Sequence, residues 1–190
     1  MNVYDFDNTI YDGESSFDFF QFCLKRHPAL IRYFCTIVFH LARYKLCLVT
    51  REDMLLLAEK NIFGLMRACP DYPELAEAFW DRNMKKIKPF YRIGKREDDV
   101  ILTASFDFLI EPCLHRLGIR NAVCSKADFS SGKITRLCFR ENKPALFDEF
   151  FPGVTVDSFY TDSRNDLAMA KRAEKSFLVR GNRIKPLTFH

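Results

Sequence analysis

Asn2-Val3-Tyr4-Asp5-Phe6-Asp7-Asn8-Thr9-Ile10 reads as a short buried strand that stops at two carboxylates two residues apart. Residues i and i+2 of a strand point the same way, so Asp5 and Asp7 emerge together where strand gives way to loop. In open α/β sheets that carboxyl end is where ligands bind. Two convergent carboxylates repel unless a proton or cation lies between them. A hard divalent ion such as Mg2+, which keeps waters and accepts phosphate oxygens, is the natural partner. Asp-x-Asp-Asn is also ordinary turn chemistry, so the rest of the chain has to decide.

Outward from this stretch, Tyr11-Asp12-Gly13-Glu14-Ser15 forms a turn, and a long region of helical periodicity follows. Ser15 or Ser16 can cap a helix running to about Arg26, and Pro28 suits the first turn of a second, Ala29 to about Lys45. Thr50 with Asp53 resembles a capping box before a helix from Arg51 to Met66, and Asp71 with Glu74 repeats it before Leu75 to Lys86. Four helices with short joints predict a small bundle. The period then changes. Val100 to Leu102 is a compact apolar run ending at Thr103-Ala104-Ser105, and a helix from Phe106 stops at Gly118, with Pro112 inside it. Strands are expected at 121–125, 134–139, 156–160 and 176–179, with helices from Lys143 to about Phe151 and from Asp166 to about Ala173. Strands alternating with helices predict a parallel sheet. The expected architecture is therefore α/β: a core of residues 1–13 and 98–190, with residues 14–97 inserted after the first strand as a helical lid.

Composition sets outer limits. At 190 residues, 48% hydrophobic and 28% charged, the chain suits one core domain with a modest second lobe. The net charge of +4 lies wholly in residues 14–98, where 15 Lys/Arg face 11 Asp/Glu. That excess suits an anionic substrate or surface, or a solvated helical face. No nucleic-acid recognition motif accompanies it. The seven cysteines (23, 35, 47, 69, 113, 124 and 138) include no C-x-x-C pair, which fits reduced, mostly buried thiols in the cytoplasm. No secretory signal is visible. The apolar run from Ala29 to Ala42 contains Arg32, and its longest uncharged part falls short of the roughly 20 residues a membrane span needs. Flanked by Lys25, Arg26, Arg43 and Lys45, it is either core of the lid or contact with a membrane surface or amphiphilic substrate.

Four sites fall at strand ends or helix starts of the expected sheet: Asp5/Asp7, Thr103, Lys143 and Asp162/Asp166. Together they suit phosphoryl transfer. Asp5 can attack phosphorus as a carboxylate nucleophile, and Asp7 can protonate the leaving oxygen and later activate water. The Thr103 hydroxyl and the backbone N–H of Ala104 can meet phosphate oxygens. Lys143 can neutralise charge. Asp162 can join Asp5 and the Asp7 carbonyl on Mg2+, while Asp166 orients that shell.

These motifs resemble the haloacid dehalogenase-like superfamily of aspartyl-nucleophile hydrolases, in the branch similar to phosphoserine phosphatase. Asp5-Phe6-Asp7-Asn8-Thr9 matches its first motif, Val100-Ile101-Leu102-Thr103 the second, Lys143 the third, and Tyr160-Thr161-Asp162-Ser163-Arg164-Asn165-Asp166 the fourth. The resemblance implies a Rossmann-like core, Mg2+ held through Asp5, Asp7, Asp162 and Asp166, and an inserted helical-bundle cap of the C1 type. It also implies a substrate-contacting role for Glu14. The chain departs from the pattern at Thr161 and Ser163, where glycine is commoner, in a way seen in relatives similar to phosphatidylglycerophosphate phosphatases. Arg136 and Arg140 stand where that subgroup often has glycine. Dehalogenases and P-type ATPases lack the acid/base residue that Asp7 supplies. The expectation is a Mg2+-dependent phosphomonoester phosphatase. The alternatives are a lipid-phosphate phosphatase at a membrane surface and a non-catalytic binding protein on the same scaffold.

Overall fold

Three residues, β1 (Asn2–Tyr4), form the central strand of a seven-stranded sheet in the computed structural model, which describes residues 1–33, 35, 36, 39 and 60–188. The other strands are β2 (Val100–Phe106), β3 (Asn121–Asp128), β4 (Lys133–Arg136), β5 (Val156–Thr161), β6 (Ala173–Arg180) and β7 (Arg183–Pro186), in the order β4-β3-β2-β1-β5-β6-β7. β1 runs parallel to both neighbours, with Val3 opposite Val100 and Phe159. β3 and β6 continue the parallel set, and only the edges, β4 and β7, are antiparallel. The fold is the expected α/β, Rossmann-like one. Chain order leaves β1 for β2 and β3 on one side and returns to β5 on the other. The crevice at the carboxyl end of β1 is thus a topological switch point, the usual ligand position in such sheets.

Strand alternation sorts the core. Tyr4 and Ile101 face one hydrophobic cluster, while Val3, Val100 and Leu102 face another. Both faces are covered, which is why β2 reads as an unbroken apolar run. The second cluster is closed by α5 (Asn142–Phe150) and α6 (Leu167–Ala170) through Phe147 and Met169. The first is closed by α1 (Ser15–Leu24), α2 (Tyr72–Asn83) and α4 (Asp107–Leu117). Trp80 of α2 meets Phe6 and Tyr11 edge-to-face and donates its indole N–H to the Leu109 carbonyl at 2.6 Å. The inserted helices therefore share one apolar cluster with the sheet. α3 (Pro89–Gly94) adds Tyr91 to it.

Local expectations fared unevenly. Gly118 ends α4 in the left-handed conformation (φ 68°), with the Ile119 N–H bonded back to Leu114, and the helix runs through Pro112. Neither serine caps α1: Glu14 holds the N-cap position without a side-chain bond, because Ser15 N–H and hydroxyl are committed elsewhere. Asp71 does not cap α2 either, since His27 and Arg26 take its oxygens. The strand expected over 134–139 ends at Arg136, and β7 was not foreseen. The Thr50/Asp53 capping box, and most of the helices expected over 29–45 and 51–66, lie outside the described residues. Among those described, no helix is long and apolar enough to cross a membrane.

Candidate active site

The loop after β1 is built around Phe6. Its ring packs against Tyr11 and Trp80, and its carbonyl accepts the N–H groups of Thr9, Ile10 and Tyr11. On either side of this core ring, Asp5 is bonded to Lys143 and Asp7 to Ser105. Asn8 sits at φ 56°, a left-handed conformation that asparagine tolerates, and its N–H bonds the Gly13 carbonyl.

Asp5 is only 8% exposed, and the Lys143 ammonium, 2% exposed, donates to it and to Asp166, each at 2.8 Å. Lys143 enters from the first turn of α5. Burial opposes its charge, yet the two carboxylates outweigh burial and raise its pKa above the usual lysine value. Asp166 is held further by the Thr161 hydroxyl at 3.0 Å. Asp7 belongs to a second network. Ser15 N–H reaches one carboxylate oxygen at 2.6 Å and the Ser105 hydroxyl the other at 2.7 Å, while Ser15 and Ser16 hydroxyls each meet Ser105 at 3.1 Å.

Ser105 can turn to Asp7 because the β2–β3 pairing breaks after Thr103–Cys124 and resumes at Phe106–Ser125. The irregularity frees Ala104 and Ser105 from the ladder, as bulges beside active sites do. The Thr103 hydroxyl oxygen accepts the Ser105 N–H at 3.1 Å, which leaves its hydrogen to donate. Asp162 is half-buried at the end of β5. Burial first, then the neighbouring charge of Asp166, raises its carboxyl pKa. Burial likewise raises Asp5 and Asp7. Asp5 and Asp166 thus share one ammonium while Asp7 and Asp162 add two further carboxylates at the same sheet edge, and a divalent cation is the group whose charge and oxygen preference this donor set fits.

Glu14 is exposed and accepts from the Asn8 side chain at 2.5 Å. Arg140 adopts φ 47°, the backbone conformation that glycine takes readily, which explains how the chain manages without glycine there. Arg136 donates to the Cys124 carbonyl and lies over Phe150. Sequence reasoning missed Ser15 and Ser105 as supports of Asp7. It also missed Lys88, which is buried and donates to the Asn8 carbonyl.

Several solved structures share the fold. A Bordetella pertussis Tohama I protein of unknown function aligns at TM-score 0.69 and 19% identity, over 93% of this chain and 87% of its own. A phosphoserine phosphohydrolase-like protein from Francisella tularensis aligns at 0.56 and 16%, over 93% and 86%. A haloacid dehalogenase family hydrolase from Salmonella enterica serovar Typhi aligns at 0.57 and 12%, over 90% of this chain and 59% of its own. At such identities they establish the fold alone. No curated protein matches the chain in sequence. The family model for haloacid dehalogenase-like hydrolases, however, matches residues 3–171, a span that takes in the Asp5/Asp7 loop, Thr103, Lys143 and the turn bearing Asp162 and Asp166, and the chain belongs to that family.

Proposed function

We propose that the protein is a Mg2+-dependent phosphatase that hydrolyses a phosphomonoester through an aspartyl-phosphate on Asp5. The observation that carries the reading is the division of labour between two carboxylates of one loop. Asp5 is bonded to a buried cation, whereas Asp7 is bonded to hydroxyl and N–H donors. An Asp5 oxygen attacks phosphorus as the bond to the leaving oxygen breaks, and Asp7 delivers its proton to that oxygen. Burial favours the protonated form of Asp7 that this step needs. Asp7 then takes a proton from water, the water oxygen attacks phosphorus, and the bond to Asp5 breaks, which restores the carboxylate and frees phosphate. The Thr103 hydroxyl and the Ala104 N–H are assigned to the phosphate oxygens, and Lys143 balances their charge. Asp5, Asp162 and the Asp7 carbonyl would hold Mg2+, with Asp166 orienting them. When bound, Mg2+ supplies Lewis-acid neutralisation of the phosphate.

We take residues 14–97 as a cap over a core of 1–13 and 98–190. In support, the two connectors pair with each other: Asp12 N–H bonds the Lys86 carbonyl at 2.8 Å, and Lys88 N–H bonds the Ile10 carbonyl at 2.7 Å. All six described cysteines are free thiols, which supports a reducing, cytoplasmic setting. The test is turnover of a generic aryl phosphate. Activity is expected with Mg2+, to vanish on chelation and to return with Mg2+. Full activity in excess EDTA, or rescue by Zn2+ alone, contradicts the assignment, and no turnover at all favours a binding protein on this scaffold.

One observation favours the lipid-phosphate reading. Phe17 and Ile31 are 47% and 48% exposed and line, with Phe20 and Leu24, a shallow apolar groove of about 430 Å³. Phe17 lies two residues beyond the Ser15 N–H that holds Asp7. On this reading the protein co-sediments with anionic vesicles at low salt and is released at high salt. Absence of binding, with fast turnover of small soluble phosphomonoesters, leaves the groove without that role.

A further inference from the structure

Away from the aspartates, the end of α1 and the turn before α2 bring four side chains of another chemistry together. The helical turn continues past Leu24, with Arg26 N–H and His27 N–H both bonded to the Cys23 carbonyl. His27 therefore stands one turn below Cys23 on the same face. Cys69 and Asp71 come from the far end of the inserted segment, where Tyr72 N–H bonds the Cys69 carbonyl. One donor atom each from His27, Cys69 and Asp71 lies within 4.8 Å of the others. His27 Nε2 is 2.6 Å from Asp71 Oδ1, and Cys69 Sγ is 3.8 Å from that same oxygen. Cys23, one turn before His27, stands beside that trio, and both cysteines are fully buried.

We propose that Cys23, His27, Cys69 and Asp71 form a Zn2+ site that clamps the end of α1 to the start of α2. Two sulfurs, an imidazole and a carboxylate are a tetrahedral zinc set, whereas Mg2+ and Ca2+ take oxygen. Zinc–ligand bonds of about 2.0–2.3 Å put neighbouring donors roughly 3.3–3.8 Å apart. The Cys69–Asp71 separation already meets that, and the His27–Asp71 hydrogen bond has to open by less than about 1 Å as the metal replaces the shared proton. Asp71 is prepared for it. Arg26 holds its Oδ2 at 3.1 Å and leaves Oδ1 aimed at His27 and Cys69, the kind of outer contact that orients metal ligands. Loading releases both thiol protons to solvent and leaves the His27 ring proton on Nδ1, so that two thiolates, the neutral imidazole, the carboxylate, Zn2+ and Arg26 sum to neutrality. His27 and Asp71, whose side chains keep about a quarter of their surface exposed, give the ion a way in. The clamp closes a loop over residues 28–68, and cross-links across long loops stabilise chiefly by restricting the unfolded chain.

The test uses the full chain with Co2+ and Zn2+ as probes. Reduced, metal-free protein is expected to bind one Co2+ with thiolate-to-cobalt charge-transfer and tetrahedral d–d bands, both bleached by one equivalent of Zn2+. Zn2+ is expected to raise Tm further in protein already saturated with Mg2+. The charge-transfer band reports thiolate ligation alone, so it is blind to the carboxylate site at Asp5. Cys69→Ser is expected to lower the band to half or less, since only the Cys23 thiolate remains, and His27→Ala is expected to weaken Co2+ binding. Should either fail to fold, the wild-type spectrum and its zinc stoichiometry decide alone. No charge-transfer band in folded wild-type protein overturns the site. So does a band of undiminished intensity in Cys69→Ser.

Discussion

Asp5→Asn is expected to lower phosphomonoester turnover by at least about 10,000-fold while the protein still folds. An amide oxygen is a poor nucleophile, and losing a nucleophile outright leaves only the binding and electrostatic parts of catalysis. The fold survives for a reason visible in the charge pattern. Lys143 is shared between Asp5 and Asp166 at 2.8 Å each, so the variant leaves the buried ammonium paired with Asp166 and able to donate to the new amide oxygen. No charge is orphaned, and orphaned charges are what make such substitutions unfold proteins. The measurements are turnover of an aryl phosphate with Mg2+ and a thermal melt of the same preparation. Undiminished turnover in protein shown by mass to carry asparagine would sink the aspartyl-phosphate mechanism. A melt lowered by tens of degrees would show that Asp5 serves the fold first.

The carboxylate half of this site was legible because strand geometry is short-range. Asp5 and Asp7 directly follow the end of β1, and Thr103 and Asp162 stand on or beside the neighbouring strands of one parallel sheet. The supports of Asp7 were not legible. Ser105 reaches it only because the β2–β3 register slips after Thr103, and nothing in Thr103-Ala104-Ser105-Phe106 announces a bulge. Ser15 looked like a helix cap, since a serine ahead of an apolar run is the usual cap signal, but a nearby carboxylate recruited its N–H instead. Lys88 reads as one basic residue among several near the end of the insertion, and only the pairing of the two connectors buries it. Asp71 failed as a cap because His27, 44 residues away in sequence, competes for its oxygen. Cys23 and His27 do carry a local signal, a spacing of four on a helix. The other half of that cluster is long-range, and long-range contacts are what a single sequence conceals.

Lys143→Met is expected to destabilise the metal-free protein by about 3–5 kcal/mol at neutral pH, the usual cost of removing one member of a buried ion-pair network. Methionine keeps the side chain's length and apolar stem, so the change isolates the charge. Asp5 and Asp166 now face each other without the nitrogen that both bond, in a site too buried to hydrate either well. Their mutual repulsion adds to burial, which already raises the Asp5 carboxyl, so without Lys143 Asp5 is held further above its value in the unfolded chain. A group whose folded pKa is raised binds its proton more tightly when folded, so stability is lost as pH rises through that value and regained as it falls. The gap between variant and wild type is therefore expected to narrow on acidification from pH 7.5 towards 5. Adding Asp166→Asn removes one of the two charges and is expected to recover a large part of the lost stability without recovering turnover, a coupling that a double-mutant cycle measures directly. Urea unfolding in EDTA at the two pH values supplies every number required. Wild-type stability in Lys143→Met at pH 7.5, or a gap that widens on acidification, contradicts the ion-pair account, because in either case the carboxylates are not relying on Lys143 for their charge.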